Sequence, residues 1–190
     1  YMMTHPGKKL NFMGNELGEF KEWDEKKALG WNILQYPAHD AFHHFIQKLN
    51  QIYTQYDALF TLDYEFSGFK WMMVDNHTQS LFGYIRQDLG ENMLLVVMNF
   101  TPNKHVGLRM PVPLEGTYRE ILNTDQDIYG GSNQLNPKAL KSERVPCLKE
   151  KYSVVMDLGA FASAVFVLER PQPKKETTKK TEKETANKKR

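Results

Sequence analysis

The residues best suited to ligand chemistry lie between positions 15 and 31, where an amide, a carboxylate and two indole rings follow a short apolar run. Asn15 and Glu16 stand directly after Gly14, and both side chains can form hydrogen bonds with ligand hydroxyl groups. Trp23 and Trp31 offer flat apolar faces on which a ligand ring could stack. We therefore predict Asn15, Glu16, Trp23 and Trp31 as substrate-binding residues. Two structural roles compete with this prediction: the polar pair could brace its loop, and the rings could pack against their surroundings.

A buried strand and a long loop would position these residues. The apolar side chains of Leu10 and Phe12 predict a strand over residues 8–13 that ends at a glycine. Buried parallel strands place functional groups in the loops after their carboxyl ends. Residues 14–36 form such a loop in this prediction, and its length favours a functional role.

A helix is predicted to begin at Pro37, because proline suits the first turn of a helix. Large apolar side chains then recur with helical spacing and form one continuous stripe. The stripe consists of Phe42, Phe45, Ile46, Leu49, Ile52, Tyr53 and Tyr56. The strand, loop and helix together fit one repeat of a (β/α)₈ barrel.

After Asp57 the sequence changes to short apolar runs separated by turn residues, which indicates an antiparallel β-sandwich. We place the boundary between the two parts near residues 60–67. The predicted strands are Phe69 to Val74, Leu81 to Arg86, Met93 to Asn99, His105 to Met110, Gly116 to Leu122, Tyr152 to Leu158 and Ala162 to Leu168. Residues 171–190 lack large apolar side chains, and we expect a disordered tail.

The charge distribution gives no reason to expect a nucleic-acid partner. The net charge is +2, but the last 20 residues carry eight Lys or Arg and three Glu, so the other 170 carry about −3. Nucleic-acid binding would need a basic face on the folded part. Apolar runs fall short of the roughly 20 residues that span a bilayer, and no signal peptide is visible. We expect a soluble cytoplasmic protein without a membrane partner.

The remaining candidates for chemistry are weak. Cys147 is the single cysteine and has no partner for an internal disulfide. His39 and His43 have the i, i+4 spacing of two ligands on one helical face, but no zinc-binding motif accompanies them. They are better explained as the exposed side of an amphipathic helix. We therefore expect neither a metal site nor a cofactor.

Several strings of residues together resemble the bacterial 1,4-α-glucan (glycogen) branching enzymes of the α-amylase superfamily. The resemblance covers roughly residues 1 to 168. It rests on Gly-Lys-Lys-Leu-Asn-Phe-Met-Gly-Asn-Glu-Leu-Gly-Glu-Phe-Lys-Glu-Trp at 7–23, Leu29-Gly30-Trp31, Leu-Leu-Val-Val-Met-Asn-Phe-Thr-Pro at 94–102, Leu122-Asn123-Thr124-Asp125 and Tyr129-Gly130-Gly131-Ser132.

The resemblance implies an α+β fragment of a longer protein, an interpretation that also fits a chain opening on Tyr1 rather than methionine. Residues 1–62 would be the last β/α repeat of the catalytic (β/α)₈ barrel. Residues 63–170 would be an all-β antiparallel sandwich at the C-terminus, followed by the tail. The partners would be the rest of the barrel and an α-glucan such as glycogen or amylose.

The resemblance also implies a reaction, the transfer of an α-1,4-glucan chain to a 6-hydroxyl to form an α-1,6 branch. A retaining transglycosidase needs two carboxyl groups roughly 5 Å apart. In the family these groups lie on earlier barrel strands, so we assign no catalytic residue to this chain and expect it to be inactive alone. Glu19 and Asp24 depart from the glutamine and asparagine usual in the family, and Gly159-Ala160 replaces a frequent Pro-Pro.

Two alternatives remain open from the sequence. The chain could be a non-catalytic carbohydrate-binding module that uses Trp71 and Tyr84, although their positions favour burial of at least one ring. It could also derive from another hydrolase of the α-amylase superfamily. In Asn123-Thr124-Asp125 and Tyr129 to Ser132 we expect a fixed loop, with a surface glucan contact as the alternative. Uncovered apolar faces lead us to expect self-association, or partial disorder of residues 1–36.

Overall fold

The computed structural model describes residues 1–90 and 92–170, which contain one α-helix, eight strands and five short 3₁₀ turns. The helix, α1, spans Pro37–Gln55. The strands are β1 Phe69–Asn76, β2 Leu81–Gln87, β3 Met93–Asn99, β4 His105–Val112, β5 Thr117–Asn123, β6 Leu140–Lys141, β7 Tyr152–Leu158 and β8 Ser163–Glu169. The predicted tail, 171–190, lies outside the described residues. No described helix is long and apolar enough to cross a bilayer.

The strands form two antiparallel sheets, as the sequence predicts. One sheet has six strands in the order β1-β2-β3-β8-β5-β6, and the other pairs β4 with β7. β3 lies inside the larger sheet, in register with β2 from Met93 opposite Gln87 to Asn99 opposite Leu81. All seven residues of β3 are buried. A strand of this kind has a continuous apolar run because both of its faces are covered.

The smaller sheet covers one face of the larger sheet. Met110 on β4 and Met156 on β7 belong to the same buried cluster as Leu95 on β3 and Phe166 on β8. The all-β sandwich prediction is therefore confirmed, and we call residues 69–169 the β sandwich. The sequence analysis missed β6, because a two-residue strand is too short to show alternation; it pairs with Thr117 and Tyr118.

Helix α1 covers the opposite face of the larger sheet. Ile52 and its partly buried neighbour Leu49 pack in one cluster with Tyr84, Leu94 and Val96 of the sheet. The predicted helix and its apolar stripe are confirmed. Much of the stripe is covered by the sandwich itself, while Phe42 at its start remains partly exposed. Self-association of the chain stays a prediction.

The predicted strand over residues 8–13 is absent, and this prediction is wrong. Leu10 is 67% exposed and Phe12 is also exposed. The Lys9 ammonium donates to the carbonyls of His5 and Gly7, which holds the preceding turn against the chain. A strand requires a neighbour that accepts its backbone hydrogen bonds, and no strand among the described residues pairs with this stretch.

A buried arginine joins the N-terminal residues to the sandwich. Arg86 on β2 is fully buried and forms an ion pair with Asp63. Its guanidinium also donates to the carbonyl oxygens of Thr4 at 2.8 Å, Leu59 at 3.1 Å and Gly68 at 3.2 Å. The connection between α1 and β1 is therefore fixed to the larger sheet. The domain boundary near 60–67 stays a prediction.

Candidate functional site

Asn15 and Glu16 lie in a single 3₁₀ turn, Asn15–Leu17, that packs on α1. Gly14 precedes the turn with a φ of 87°, a backbone conformation that glycine adopts without strain. Leu17 is completely buried and anchors the turn. The side chain of Asn15 is exposed, whereas Glu16 is half-buried.

Two histidines hold this turn in place. His39 Nδ1 lies 2.9 Å from the carbonyl oxygen of Leu17, and His43 Nδ1 lies 3.1 Å from that of Glu16. Because a carbonyl oxygen only accepts, each Nδ1 must carry the proton. The expectation that His39 and His43 form an exposed helix face is wrong. Both are half-buried, since the loop folds back over the start of α1.

The carboxylate of Glu16 takes part in bracing its loop. The Asn11 amide donates to Glu16 Oε2 at 2.9 Å. This contact supports the structural alternative raised from the sequence, although one carboxylate oxygen can accept further hydrogen bonds. Asn15 and Glu16 remain predicted substrate-binding residues.

The two predicted tryptophans have similar surroundings. Trp23 is 52% exposed and meets the ring of Phe12 edge-to-face, with centroids 5.4 Å apart. Trp31 is 53% exposed and meets His43 in the same manner at 6.2 Å. Each indole therefore contacts one neighbouring ring and is still about half exposed, and an exposed aromatic ring can stack on a ligand.

Trp23 lines a groove of about 470 Å³ within the loop. Asn15, Glu16 and Trp31 are not among its lining residues, so the structure does not bring the four predicted residues into one cavity. The lining residues are Met13, Glu19, Phe20, Lys21, Glu22, Trp23, Asp24, Lys27, Ala28, Leu29, Gly30, Asn32, Ile33 and Tyr36. We call this cavity the loop groove. Its volume lies in the range typical of small-ligand sites.

The loop groove combines aromatic rings with charges of both signs. One of its cations is already paired, because Lys27 lies 2.9 Å from the carboxylate of Asp24. The hydrogen bond from Lys27, followed by that from the Lys26 amide, lowers the pKa of Asp24. Asp24 is therefore ionised near neutral pH. Glu19 also lines the groove but was not predicted as a site residue, although it lies in an aromatic-rich loop.

A second polar cluster fixes a loop of the β sandwich. The buried Asp125 carboxylate accepts from the Ser132 amide at 2.9 Å, the Ser132 hydroxyl at 2.8 Å and the Gln134 amide at 2.8 Å. Burial alone would raise the pKa of Asp125, but these hydrogen bonds outweigh it and the pKa is lowered. A side chain at Gly131 would collide with the Asp125 backbone at 2.3 Å. The expected fixed loop is therefore present.

Trp71 and Tyr84 do not form an exposed binding platform. Tyr84 is completely buried, and its hydroxyl forms a 2.5 Å hydrogen bond with Thr4 Oγ1. Trp71 is 38% exposed and packs edge-to-face on Tyr84 at 5.5 Å. The prediction that at least one ring is buried is confirmed, and a carbohydrate module based on the pair is not favoured.

Comparison with known proteins identifies relatives of the chain. The profile of the α-amylase C-terminal all-β domain matches residues 71–169. The chain is 44% identical over 147 residues to the 1,4-alpha-glucan branching enzyme GlgB of Shewanella baltica (strain OS195), covering 77% of this chain and 20% of that protein. It is 39% identical over 169 residues to GlgB of Saccharophagus degradans, covering 89% and 23%.

The chain therefore spans about a fifth to a quarter of the length of these curated relatives. Among solved structures, the catalytic module of the glycogen-degrading pneumococcal virulence factor SpuA aligns with a TM-score of 0.50 and 13% identity, covering 75% of this chain and 20% of that one. This similarity supports the fold alone. The predicted resemblance to branching enzymes is confirmed by the sequence relatives, and the chain belongs to the family of α-amylase C-terminal all-β domains.

Proposed function

We propose that this chain forms part of a 1,4-α-glucan branching enzyme, which transfers an α-1,4-glucan chain to a 6-hydroxyl and so creates an α-1,6 branch. The observation that carries the proposal is the 44% identity to GlgB of Shewanella baltica. That match extends over 147 residues, more than the all-β domain occupies.

In this proposal residues 1–62 are the end of the catalytic barrel and the loop groove faces the α-glucan. A glucose unit presents C–H groups on its faces and hydroxyls at its rim, a combination that suits the ring of Trp23 beside polar side chains. Asn15, Glu16 and Trp31 would contact the same glucan further along. The catalytic carboxylates are supplied by the preceding part of the barrel.

Exposed apolar side chains support a docking role for this region. Leu10 is 67% exposed and Phe12 is 44% exposed, and neither residue lines the loop groove. Neighbouring exposed apolar side chains that form a patch on a protein surface mark an interaction site. In the proposed enzyme the neighbouring barrel elements cover this patch, and they also provide the strand partners that residues 8–13 lack here.

A branching assay on amylose tests the proposal. The 190-residue chain and a longer protein, extended N-terminally through the whole barrel, are compared by the fall in iodine absorbance. Branching by the extended protein alone is the expected result, since nucleophile and acid/base both lie upstream. Branching by the 190-residue chain would overturn the assignment of the chemistry. An extended protein that only hydrolyses amylose would favour a different α-amylase superfamily activity.

A further inference from the structure

Among the carboxylates that line the loop groove, that of Glu19 takes part in none of the contacts described above. Glu19 lines the groove close to Trp23 and is half-buried. Within residues 1–90 and 92–170, no hydrogen bond or ion pair occupies its carboxylate. The groove cation Lys27 is paired with Asp24 instead. A half-buried carboxylate without partners retains its full capacity to accept hydrogen bonds.

Gly30 leaves the space that this carboxylate occupies. A β-carbon at position 30 would lie only 2.6 Å from Glu19 Oε2 and 3.5 Å from Glu19 Cδ. The backbone of Gly30 has a φ of −77°, a value that any residue adopts. The conflict at position 30 is therefore with the end of the Glu19 side chain. Any larger residue would push the Glu19 carboxylate out of its present place.

We propose that Glu19 is a substrate-binding residue of the loop groove. Its carboxylate accepts hydrogen bonds from hydroxyl groups of a glucose unit whose apolar face rests on Trp23, and Gly30 sets the position of the carboxylate. This assignment rests on the proposed function, since it takes an α-glucan as the ligand. A carboxylate suits this role because it can accept from two adjacent hydroxyls at once, and hydrogen bonds to a charged acceptor are stronger than neutral ones.

The test measures binding of maltoheptaose by titration calorimetry and retardation by glycogen in native gels, both on the 190-residue chain. Glu19→Ala is expected to weaken maltoheptaose binding about 10-fold, the loss of charge-assisted hydrogen bonds. Glu19→Gln keeps one acceptor oxygen, so a loss of about 3-fold is expected. Glu25→Gln is the matched control, because Glu25 is exposed in the same loop but does not line the groove.

Gly30→Ala provides an independent test of the geometry. In the parent chain this substitution displaces the Glu19 carboxylate. Maltoheptaose binding is therefore expected to weaken about 5-fold, compared with about 10-fold for Glu19→Ala. In the Glu19→Ala background the same change meets no carboxylate and is expected to have no further effect. If Gly30→Ala weakens binding equally in both backgrounds, the two residues act separately and the proposal is overturned.

Failure of this proposal can be distinguished from failure of the proposed function. Trp23→Ala removes the stacking surface and is expected to abolish measurable retardation by glycogen. If Trp23→Ala has this effect while Glu19→Ala binds like the parent chain, the groove binds glucan and the role of Glu19 is overturned. If the parent chain binds neither maltoheptaose nor glycogen, the role of Glu19 is overturned, whereas the proposed function is decided by the branching assay on the extended protein. Circular dichroism of each variant confirms that a lost signal reflects binding and not unfolding.

Discussion

The β sandwich and the N-terminal segment, residues 1–36, differ in how their backbone hydrogen bonds are formed. The inner strands of the larger sheet pair with a neighbour on each side, and β3 is buried along its whole length. The N-terminal segment contains only short turns, and its buried positions are Thr4, Gly14 and Leu17. It is held to the rest of the chain by hydrogen bonds and ring contacts, such as the bonds of Thr4 to Arg86 and Tyr84. The sandwich is therefore stabilised by its own core, whereas the segment depends on what it docks against.

Loss of the Arg86 contacts should have the largest effect on the link between the two regions. Arg86→Leu leaves the Asp63 carboxylate and the carbonyls described above without their donor in a buried site. A lost partner of a buried ion pair costs about 3–5 kcal/mol of unfolding free energy. We expect a loss of that size in urea unfolding, together with faster tryptic cleavage in residues 1–9.

Arg144→Leu is the control for this prediction, because its ion pair with Glu115 is exposed on both sides. Exposed pairs contribute about 0–1 kcal/mol, so its unfolding midpoint should stay close to that of the parent chain. Equal stability of the two variants would mean that the buried arginine does not join the segment to the sheet.

A matched pair of leucines compares the two regions directly. Leu95 is completely buried in β3, and Leu10 is largely exposed in the N-terminal segment. Leu95→Ala removes buried methyl groups and leaves a cavity, which costs about 2–5 kcal/mol. Leu10→Ala should change the unfolding free energy by less than about 0.5 kcal/mol. A comparable loss from Leu10→Ala would show that the segment is packed in solution, for example by self-association.

The two regions also differ in how well their secondary structure could be predicted from the sequence. The period of 3.6 in α1 and the apolar runs of β2 and β3 predict the elements correctly, because the surfaces that they pack against belong to the same chain. Residues 8–13 have an equally clear apolar pattern, but a strand needs partners and none of the described residues provides them. Periodicity identifies a surface that must be covered without identifying what covers it.

The candidate site was predictable only in part. Trp23 was found because its residue type suits a sugar face, and it does line the loop groove. Glu19 and Gly30 were missed, since their relationship depends on the path of a loop that has no period. His39 and His43 were placed on the wrong side of the helix, because a polar residue on a helix looks the same in sequence whether water or a loop lies beside it.

Substitution of Asp125 should have a smaller effect on the unfolding free energy, and that effect should depend on pH. The pKa of Asp125 is lowered in the folded state, so its ionised carboxylate stabilises the fold. This contribution to the unfolding free energy is fully present above the unfolded pKa of about 3.9. It is lost as the pH falls through the folded pKa. Asp125→Asn should cost about 1–3 kcal/mol at neutral pH, the range for a buried group left without its partners. The difference from the parent chain in urea unfolding should shrink below about pH 4.

Asp127→Asn is the control for this pH dependence. Asp127 lies in the same loop, and its carboxylate accepts only from the neighbouring Ile128 amide at an exposed position. Its stability should follow the parent chain at every pH. A constant difference between Asp125→Asn and the parent chain from neutral to acidic pH would contradict the assigned ionisation of Asp125.

The smallest expected effect concerns the turn that carries Asn15 and Glu16. His39→Ala removes the donor to the Leu17 carbonyl, and a single hydrogen bond contributes about 0.5–1.5 kcal/mol. Because the segment has little core of its own, this loss should appear as local opening. We expect faster amide hydrogen exchange in residues 14–18 with an unchanged urea midpoint for the sandwich.

His44→Ala is the matched control, since His44 Nδ1 contacts only the Asp40 backbone and side chain within the same helix. It should leave exchange in residues 14–18 unchanged. A global loss of stability from His39→Ala would instead mean that the turn and the sandwich unfold as one unit. The two regions would then form a single cooperative structure, and the groove would be as rigid as the sheet beneath α1. Local opening alone would place the groove on a separately unfolding element, with its final geometry set by the surface it docks against.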